Sequence, residues 1–449
     1  MQTLSAIVDR PRYTCALGGA LALMRAMNRT IPIAHAGAGC AYNYYIGGNA
    51  GAGYLGGGYC GAVSTPSTNV TEKEIIFGGE SRLEEQIRAT AELIDGDLYI
   101  VISGCQVEMI GDDICAAVDA IEGLPAPVLA AQTPSFKGNS QHGYDLLLET
   151  LVRKYIVKTN ARRKKAVNIF GIIPGNDPFY KGNLKEIKRV LSLIGVDANT
   201  FIGERETLDN FRNAGSAELN IALSDVYAPL SAEAFKEVHG IPYIREQFPI
   251  GFFQTERFLR NVGEALAIDE AVVTKAVKAE EEIYFDYFER IADIYNDVEL
   301  QRYGVVAADS NYAPAISQFI SDELGWIPHL TMVTDPVTEE NKAALDRRFK
   351  KYLSGLEPKV YYDTNASALR HYLAGNWEPN RNHLYYEPFS PAVIFGGVYE
   401  RDYAEELGVP LLSISFPLTN RVVFNKTYAG FNGGLALAED SFSLLVAAR

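Results

Sequence analysis

The stretch LYIVISGCQVEMIGDD, residues 98–113, changes character halfway along its length. Five apolar residues end at Ser103 and Gly104, and Cys105 follows directly. Short apolar runs bounded by small residues are typical of strands that are buried on both faces of a parallel sheet. Ligands bind beyond the carboxyl ends of such strands. The stretch therefore predicts a parallel sheet with Cys105 at its ligand-binding edge.

Similar apolar runs recur along the chain and alternate with amphipathic segments. This alternation predicts an α/β protein whose sheets are mostly parallel and doubly wound, in the Rossmann-like manner. The amphipathic segments span residues 81–94, 184–194 and 279–295. The predicted strands are at 31–34, 74–77, 98–102, 127–130, 166–173, 219–223, 304–308, 329–333, 359–362, 392–395 and 410–415.

Two charged stretches without a clear pattern divide the chain. They lie at residues 158–165 and 297–302, and each precedes a new predicted strand. A chain of 449 residues is too long for a single hydrophobic core. We therefore expect three α/β domains, at residues 1–160, 161–300 and 301–449, with the cysteines in the first.

The overall composition excludes several classes of function. A net charge of −15 argues against nucleic acid or anionic lipid as a partner. No apolar run reaches the roughly 18 residues that a membrane span needs, and the N-terminus lacks a signal-peptide core. No GxxxxGK[ST] loop is present, and the glycine-rich segment 47–58 is a weak match to a dinucleotide fingerprint. We expect a cytoplasmic protein that does not itself hydrolyse nucleotides.

All five cysteines lie within the first 115 residues, which would happen by chance in about one chain in a thousand. The absence of a CxxC motif disfavours zinc ribbons and ferredoxin-type sites. Two interpretations remain at this point, namely buried structural thiols or a metal site assembled from distant loops. The cysteines are Cys15, Cys40, Cys60, Cys105 and Cys115.

Three of these cysteines occur where a ligand site would be expected. Cys15 precedes a helical pattern, where the helix dipole favours a thiolate. Cys40 follows a predicted strand and the glycines Gly37 and Gly39, which permit close approach of a bulky group. For Cys60 and Cys115 a structural role is favoured. Acidic residues at 108, 112 and 113 are interpreted as helix caps.

Several motifs together resemble the β chain of nitrogenase component 1. They are IPIAHAGAGC (31–40), TEKEIIFGG (71–79), GCQVEMIGDD (104–113), QTPSFKGNSQHGYD (132–145) and SFPLTNRVVFNKTYAGFNGG (415–434). The resemblance spans nearly the whole chain. It implies three Rossmann-like domains of the nitrogenase component 1 type.

The resemblance also implies a cofactor and its ligands. β chains of that family supply three cysteines to the P-cluster, an [8Fe-7S] cluster shared with a homologous α-type chain. The matching residues here are Cys15, Cys40 and Cys105. Ser135 matches a serine that ligates iron when the cluster is oxidised. Glycines 37, 39 and 104 would admit the inorganic core.

The implied assembly is an α2β2 heterotetramer that receives electrons from an ATP-dependent iron-sulfur reductase. The catalytic iron-sulfur cofactor would be in the α-type partner, because this chain has no cysteine beyond Cys115 to hold it. No residue of this chain is expected to be catalytic. The histidines are interpreted as structural; they are His35, His142, His239, His329, His371 and His383.

The sequence motifs constrain the family more tightly than the type of enzyme within it. The chain lacks the histidine-rich stretch that follows Arg421 in molybdenum enzymes, which favours a nitrogenase-like reductase that resembles methylthio-alkane reductase. One alternative is the β subunit of a dinitrogen-reducing nitrogenase with molybdenum, vanadium or iron only. Another is a scaffold for cofactor assembly, although such chains tend to lack part of the set formed by the three thiols and Ser135.

Overall fold

The computed structural model describes residues 8–40, 65–297, 303–376 and 391–447. Cys60, His383 and the glycine-rich segment 47–58 lie outside these ranges. The strands are β1 (Thr30–His35), β2 (Leu98–Ser103), β3 (Val128–Ala131), β4 (Arg163–Phe170), β5 (Asp197–Asn199), β6 (Ala217–Ala222), β7 (Tyr243–Arg245), β8 (Tyr303–Ala308), β9 (Ile327–Val333), β10 (Lys359–Tyr362), β11 (Val393–Gly396) and β12 (Leu411–Ser413).

The α-helices of the described residues fill the connections between these strands. They are α1 (Ala16–Ala26), α2 (Glu72–Phe77), α3 (Glu80–Leu93), α4 (Cys105–Ile110), α5 (Ile114–Asp119), α6 (Ser140–Lys154), α7 (Tyr180–Ser192), α8 (Leu208–Arg212), α9 (Pro229–His239), α10 (Gly251–Ala265), α11 (Glu270–Phe288), α12 (Ile291–Asp297), α13 (Tyr312–Asp322), α14 (Glu339–Phe349), α15 (Ala368–Asn376), α16 (Arg401–Leu407) and α17 (Gly430–Ala447).

The N-terminal sheet has the order β1-β2-β3, and its strands are parallel. The register pairs His35 with Ser103, so that β1 and β2 end at the same level. On the other side of β1, the amide of Ala34 donates to the carbonyl of Pro66 at 2.8 Å. After β1, the chain therefore first places the segment around Pro66 on one side of β1 and later places β2 on the other side. The carboxyl ends of β1 and β2 flank this topological switch point.

The middle and C-terminal sheets are also fully parallel. Their orders are β5-β4-β6-β7 and β10-β9-β8-β11-β12. In each sheet the first strand of the unit is central and later strands are added on both sides, which is a doubly wound topology. The predicted α/β class with parallel sheets is confirmed.

One predicted strand is wrong. Residues 74–77, which were expected to form a strand because of their apolar run, lie in α2. Thr71 and Glu74 form a capping box, in which the Thr71 amide donates to Glu74 Oε2 at 2.8 Å. A capping box stabilises the first turn of a helix and overrides the local preference of isoleucine for strands.

Helix α17 crosses the domain boundaries expected from the sequence. It packs against α7, α10 and α11, which belong to the middle third of the chain. A single large cluster of buried apolar side chains extends through all three thirds of the chain. The domain limits at about 160 and 300 therefore remain predictions, because the last helix packs on helices of the middle third as well as on β12 of the C-terminal sheet.

Glu323 places a carboxyl group inside this core. The carboxyl accepts hydrogen bonds from the Tyr284 hydroxyl and, at 3.4 Å, from the Phe253 amide. Burial raises the pKa of Glu323 to about 8. In unfolded chains the pKa of a glutamate is about 4.3. Between these values the folded protein holds a proton that the unfolded chain releases, so the free energy of unfolding falls as the pH rises.

We predict that Glu323→Gln removes this part of the pH dependence. Relative to wild type, the variant should gain about 1.4 kcal/mol of stability per pH unit between pH 5 and pH 8, because glutamine stays neutral. Urea unfolding at several pH values measures the difference. Glu282→Gln, at an exposed position on α11, is the matched control. Parallel stability curves for Glu323→Gln and wild type would contradict the prediction.

Candidate functional site

Cys105 and Ser135 come together at the carboxyl ends of β2 and β3. Cys105 is the first residue of α4, and Ser135 begins a short 3₁₀ turn, Ser135–Lys137. The amide of Ser135 donates to Cys105 Sγ at 3.1 Å, and the hydroxyl of Ser135 lies 2.8 Å from the same sulfur. Ser135 therefore contacts the Cys105 sulfur through both its amide and its hydroxyl.

Cys40 lies at the carboxyl end of the neighbouring strand, β1. It ends the 3₁₀ turn Ala38–Cys40, which is closed by a 3.1 Å hydrogen bond from the Cys40 amide to the Gly37 carbonyl. Its sulfur is 4.0 Å from Oε1 of Gln106, the residue after Cys105. Cys40 therefore lies beside the start of α4.

Cys15 reaches this edge by a different route. It is the N-cap residue of α1 and forms an isolated antiparallel bridge with Asn139. The amide of Ala16 donates to the carbonyl of Gly138 at 3.2 Å, and the amide of Ser140 donates to the carbonyl of Thr14 at 2.7 Å. These bonds join the segment that contains Cys15 to the loop that follows Ser135.

The packing of α1 on α6 requires two glycines. A Cβ atom at Gly19 would lie 1.7 Å from the carbonyl oxygen of Ser140, and one at Gly143 would lie 1.8 Å from that of Ala16. The backbones of the two helices are therefore in direct contact. The sequence analysis did not identify Gly19 and Gly143, because an isolated glycine in a helical pattern does not reveal its contact partner.

The three thiols are close enough to influence one another electrostatically. Burial is the main cause that raises the pKa of Cys15, and the negative charge of Cys105 raises it further, against lowering by the amides of Gly18 and Leu17. Burial also raises the pKa of Cys40, with contributions from Cys15 and Cys105. Without a cation, these two sites disfavour the thiolate form. A bound metal reverses this preference, because its positive charge stabilises the thiolate.

The donor set fits a polynuclear cluster better than a single metal ion. Among the described residues, no three His, Cys, Asp or Glu side chains converge closely enough to hold one ion. Three thiols and a hydroxyl nevertheless lie at one edge of one sheet. Thiolates are the usual ligands of iron-sulfur clusters, in which different irons take different cysteines. The chemistry of these side chains therefore fits the implied cluster.

The glycines near the site differ in their surroundings among the described residues. A Cβ atom at Gly39 would meet none of these residues within 4 Å. A Cβ atom at Gly104 would lie 2.7 Å from the Cβ of Ala36, so Gly104 permits the contact with the residue that follows β1. A Cβ atom at Gly37 would lie 3.4 Å from the side-chain amide nitrogen of Gln106, an ordinary close contact. That these glycines admit an inorganic core stays a prediction.

The acidic residues after Cys105 have structural roles. Asp113 caps α5 by accepting from the Ala116 amide at 2.9 Å, as predicted. Asp112 accepts from the Gly79 amide, at the start of α3, and contacts His35 Nε2 at 3.0 Å. Glu108 lies in the first turn of α4 but accepts from the Ser103 hydroxyl, so it does not cap a helix end.

Two further predictions concern residues beside the site. Cys115 packs against the small apolar cluster between α3, α5 and the sheet, which agrees with its structural interpretation. His35 is fully buried between Asp112 and the Thr68 hydroxyl, 3.0 Å from each. It is therefore a structural residue, as expected.

Exposed apolar side chains lie on the elements that contain or adjoin Cys105 and Ser135. Phe136 follows Ser135 and is 63% exposed, Met109 lies on α4 and is 78% exposed, and Phe77 on the adjacent helix α2 is 81% exposed. Exposed apolar groups that cluster in this way mark interaction surfaces. The half-buried thiols thus lie within a surface suited to a partner protein.

Comparison with known proteins identifies the family of the chain. A family model described as nitrogenase component 1 type oxidoreductase matches residues 15–445. The chain belongs to this family. It is therefore a subunit of an oxidoreductase, and the recognised resemblance is confirmed.

Three of the most similar curated relatives are β chains. The nitrogenase molybdenum-iron protein beta chain of Sinorhizobium fredii is 26% identical over an alignment of 460 positions. This alignment covers 96% of this chain and 82% of the relative. The corresponding chain of Methanococcus maripaludis is 23% identical and covers 96% and 93%. That of Azotobacter vinelandii is 24% identical and covers 96% and 83%.

A solved structure titled "Nitrogenase Cp1 at pH 6.5" superposes on the whole chain and on 95% of its own, with a TM-score of 0.79 and 18% identity. This likeness supports the fold. Within the described parts of the chain, no helix combines the length and apolar character that crossing a membrane requires.

We predict that Gly143→Ala destabilises the chain although alanine favours helices by about 1 kcal/mol. The added Cβ would force the backbones of α1 and α6 apart, and overpacking costs about 1–3 kcal/mol. The melting temperature should therefore fall. Gly39→Ala is the control, since its Cβ would meet no atom within 4 Å among the residues that the structure describes. An unchanged or higher melting temperature for Gly143→Ala would show that the helices can separate without cost.

Proposed function

We propose that this chain is the β-type subunit of a nitrogenase-like two-component reductase and holds half of a P-cluster. The observation that carries the proposal is the convergence of Cys15, Cys40, Cys105 and Ser135 at one edge of the N-terminal sheet. When bound, the [8Fe-7S] cluster would accept electrons from one protein component and pass them to another.

Each of these residues would contribute a separate ligand atom. The sulfurs of Cys15, Cys40 and Cys105 would bind iron as thiolates, and the amide of Ser135 already donates to Cys105 Sγ. Hydrogen bonds to ligand sulfurs tune the reduction potential of iron-sulfur clusters. The hydroxyl of Ser135 is a weak ligand until it loses its proton, so its binding would depend on the redox state.

A homologous α-type partner would complete the site. Three thiolates cannot satisfy eight irons that prefer near-tetrahedral sulfur coordination. The exposed apolar side chains of Phe77, Met109 and Phe136 support a partner surface at this place. The proposed assembly is α2β2. The catalytic iron-sulfur cofactor would lie in the partner, because no cysteine follows Cys115 here.

A separate ATP-dependent iron-sulfur reductase would supply the electrons. This chain has no phosphate-binding loop of the GxxxxGK[ST] type, so the nucleotide chemistry is assigned to that component. We place the assembly in the cytoplasm, as the sequence led us to expect.

Two substrate classes fit these features equally well at the level of the family. The similarity to molybdenum-iron protein beta chains supports a dinitrogen-reducing enzyme. The sequence VVFNK after Arg421, in which Val422 and Phe424 are exposed, lacks a histidine-rich stretch and supports a reductase of the methylthio-alkane type. Assays of the purified complex with dinitrogen and with a methyl thioether distinguish them.

The test of the proposal is anaerobic purification of the chain with its partner, followed by iron and sulfide quantitation and EPR spectroscopy. About eight irons per αβ pair beyond the partner's cofactor, with a signal that appears on oxidation, would support the P-cluster. A count near four with a reduced cubane signal would support the assembly scaffold instead.

We predict that Cys105→Ala abolishes cluster assembly, whereas Cys115→Ala leaves the iron content unchanged. Cys105 lies at the converging edge, while Cys115 packs into a helix interface. Iron quantitation on the two purified variants measures the difference. Equal loss of iron in both would show that Cys105 is not a specific ligand.

We predict that Ser135→Ala keeps the iron content of the reduced protein but changes the EPR signal of the oxidised protein. The substitution removes the hydroxyl near Cys105 Sγ and retains the backbone amide that donates to it. Ser192→Ala, an exposed serine on α7, is the control. If Ser135→Ala and wild type gave the same oxidised spectrum, the proposed role of the hydroxyl would be wrong.

A further inference from the structure

The segment that leads into Cys15 is attached to two distant parts of the chain. Near its start, the carbonyl of Asp9 accepts from the amide of Ala366 at 3.1 Å. At its end, Cys15 forms the bridge with Asn139. The position of Cys15 therefore depends on the C-terminal third as well as on the N-terminal sheet.

The strongest contact with the C-terminal third is an ion pair between Arg12 and Glu400. Their side chains are 2% and 0% exposed. Arg12 Nη1 donates to Glu400 Oε2 at 3.0 Å, and Nη2 donates to Oε1. Bidentate pairs of this kind fix the orientation of both groups as well as their distance. The guanidinium carbon also lies 5.3 Å from the centre of the Tyr399 ring.

Glu400 is itself held by the loop around it. Its Oε2 accepts from the Gly397 amide at 2.8 Å, and the amide of Val398 donates to the Pro417 carbonyl at 2.9 Å. A small cavity of about 20 Å³ is lined by Phe416 together with Thr14 and Gly18. The loops at 397–400 and 415–417 thus form a fixed support beside the segment that contains Cys15.

Cys40 and Cys105 have no comparable attachment among the described contacts. Both follow directly from strands of the N-terminal sheet, and the partner of Cys40 is Gln106 of α4. Their relative position is set within the first third of the chain. Cys15 is the thiol whose position joins two parts of the fold.

We propose that Arg12 and Glu400 are positioning residues that hold the Cys15 thiol in place relative to Cys40 and Cys105. The ion pair fixes the segment three residues before the cysteine, and the bridge with Asn139 fixes the cysteine itself. What the thiol binds rests on the proposed function. The attachment is a property of the chain and can be tested without iron.

The test is alkylation of the iron-free, full-length chain, with the rate at each cysteine measured by mass spectrometry. Glu400→Gln leaves the buried Arg12 charge without its carboxylate, and the new amide presents a donor to the guanidinium donors. In Glu400→Gln, we expect the ratio of the Cys15 to the Cys115 alkylation rate to rise by about ten-fold or more over its wild-type value. The reason is that the segment that contains Cys15 would detach locally. Cys115 packs in α5 and reports on general unfolding.

Asp225→Asn is the matched control. Asp225 forms another largely buried bidentate pair, with Arg348, and the Nε–Oδ2 distance is 2.8 Å. This pair joins the middle and C-terminal thirds of the chain. We expect Asp225→Asn to lower the melting temperature while the ratio of Cys15 to Cys115 alkylation stays at the wild-type value.

Two results would overturn the inference. One is an unchanged ratio in Glu400→Gln, and the other is an equal rise in Asp225→Asn, which would indicate general loosening. Iron quantitation of the assembled complexes then tests the function separately. A wild-type complex without iron would refute the proposed function, while the alkylation result would still decide the role of Arg12 and Glu400.

Discussion

The site depends on one geometrical constraint, which is that parallel strands end along a common edge. β1, β2 and β3 run side by side in register, and the residues after them need no long loops to meet. Cys40 lies five residues after His35, Cys105 two after Ser103, and Ser135 four after Ala131. Short connections from a rigid sheet hold donor atoms more accurately than a mobile loop can.

The electrostatics of this edge oppose the ionisation of two of the thiols. Burial raises the pKa values of Cys15 and Cys40, and negative charge on a neighbouring cysteine raises them further. In the proposed function, iron would supply the missing positive charge. Burial by a partner would then strengthen every interaction at the site, because the local dielectric would fall.

Much of the fold could be predicted, because apolar strands and amphipathic helices differ in the periodicity of their apolar residues. The three-residue strands β5 and β7 were missed, since so short a segment has no periodicity to read. The strand expected at residues 74–77 was wrong because the capping box of Thr71 and Glu74 outweighs an apolar run. The positions of Cys40 and Cys105 could be predicted from strand ends, and that of Cys15 from the helical pattern that follows it. The bridge between Cys15 and Asn139 and the ion pair between Arg12 and Glu400 leave no local signal in the sequence.

The proposed ligand atoms come from the first third of the chain, yet the segment that contains Cys15 is also attached to the C-terminal third. The C-terminal loops reach back to Arg12 through Glu400, and α17 returns to pack on the middle helices. Removing either partner of a buried ion pair costs about 3–5 kcal/mol, because the other charge stays buried without compensation. If this ion pair positions Cys15 as proposed, a movement of the C-terminal third would displace one of the three proposed ligands. The geometry of the site would then be coupled to the packing of the C-terminal loops, and a bound cluster would in turn stabilise the packed arrangement.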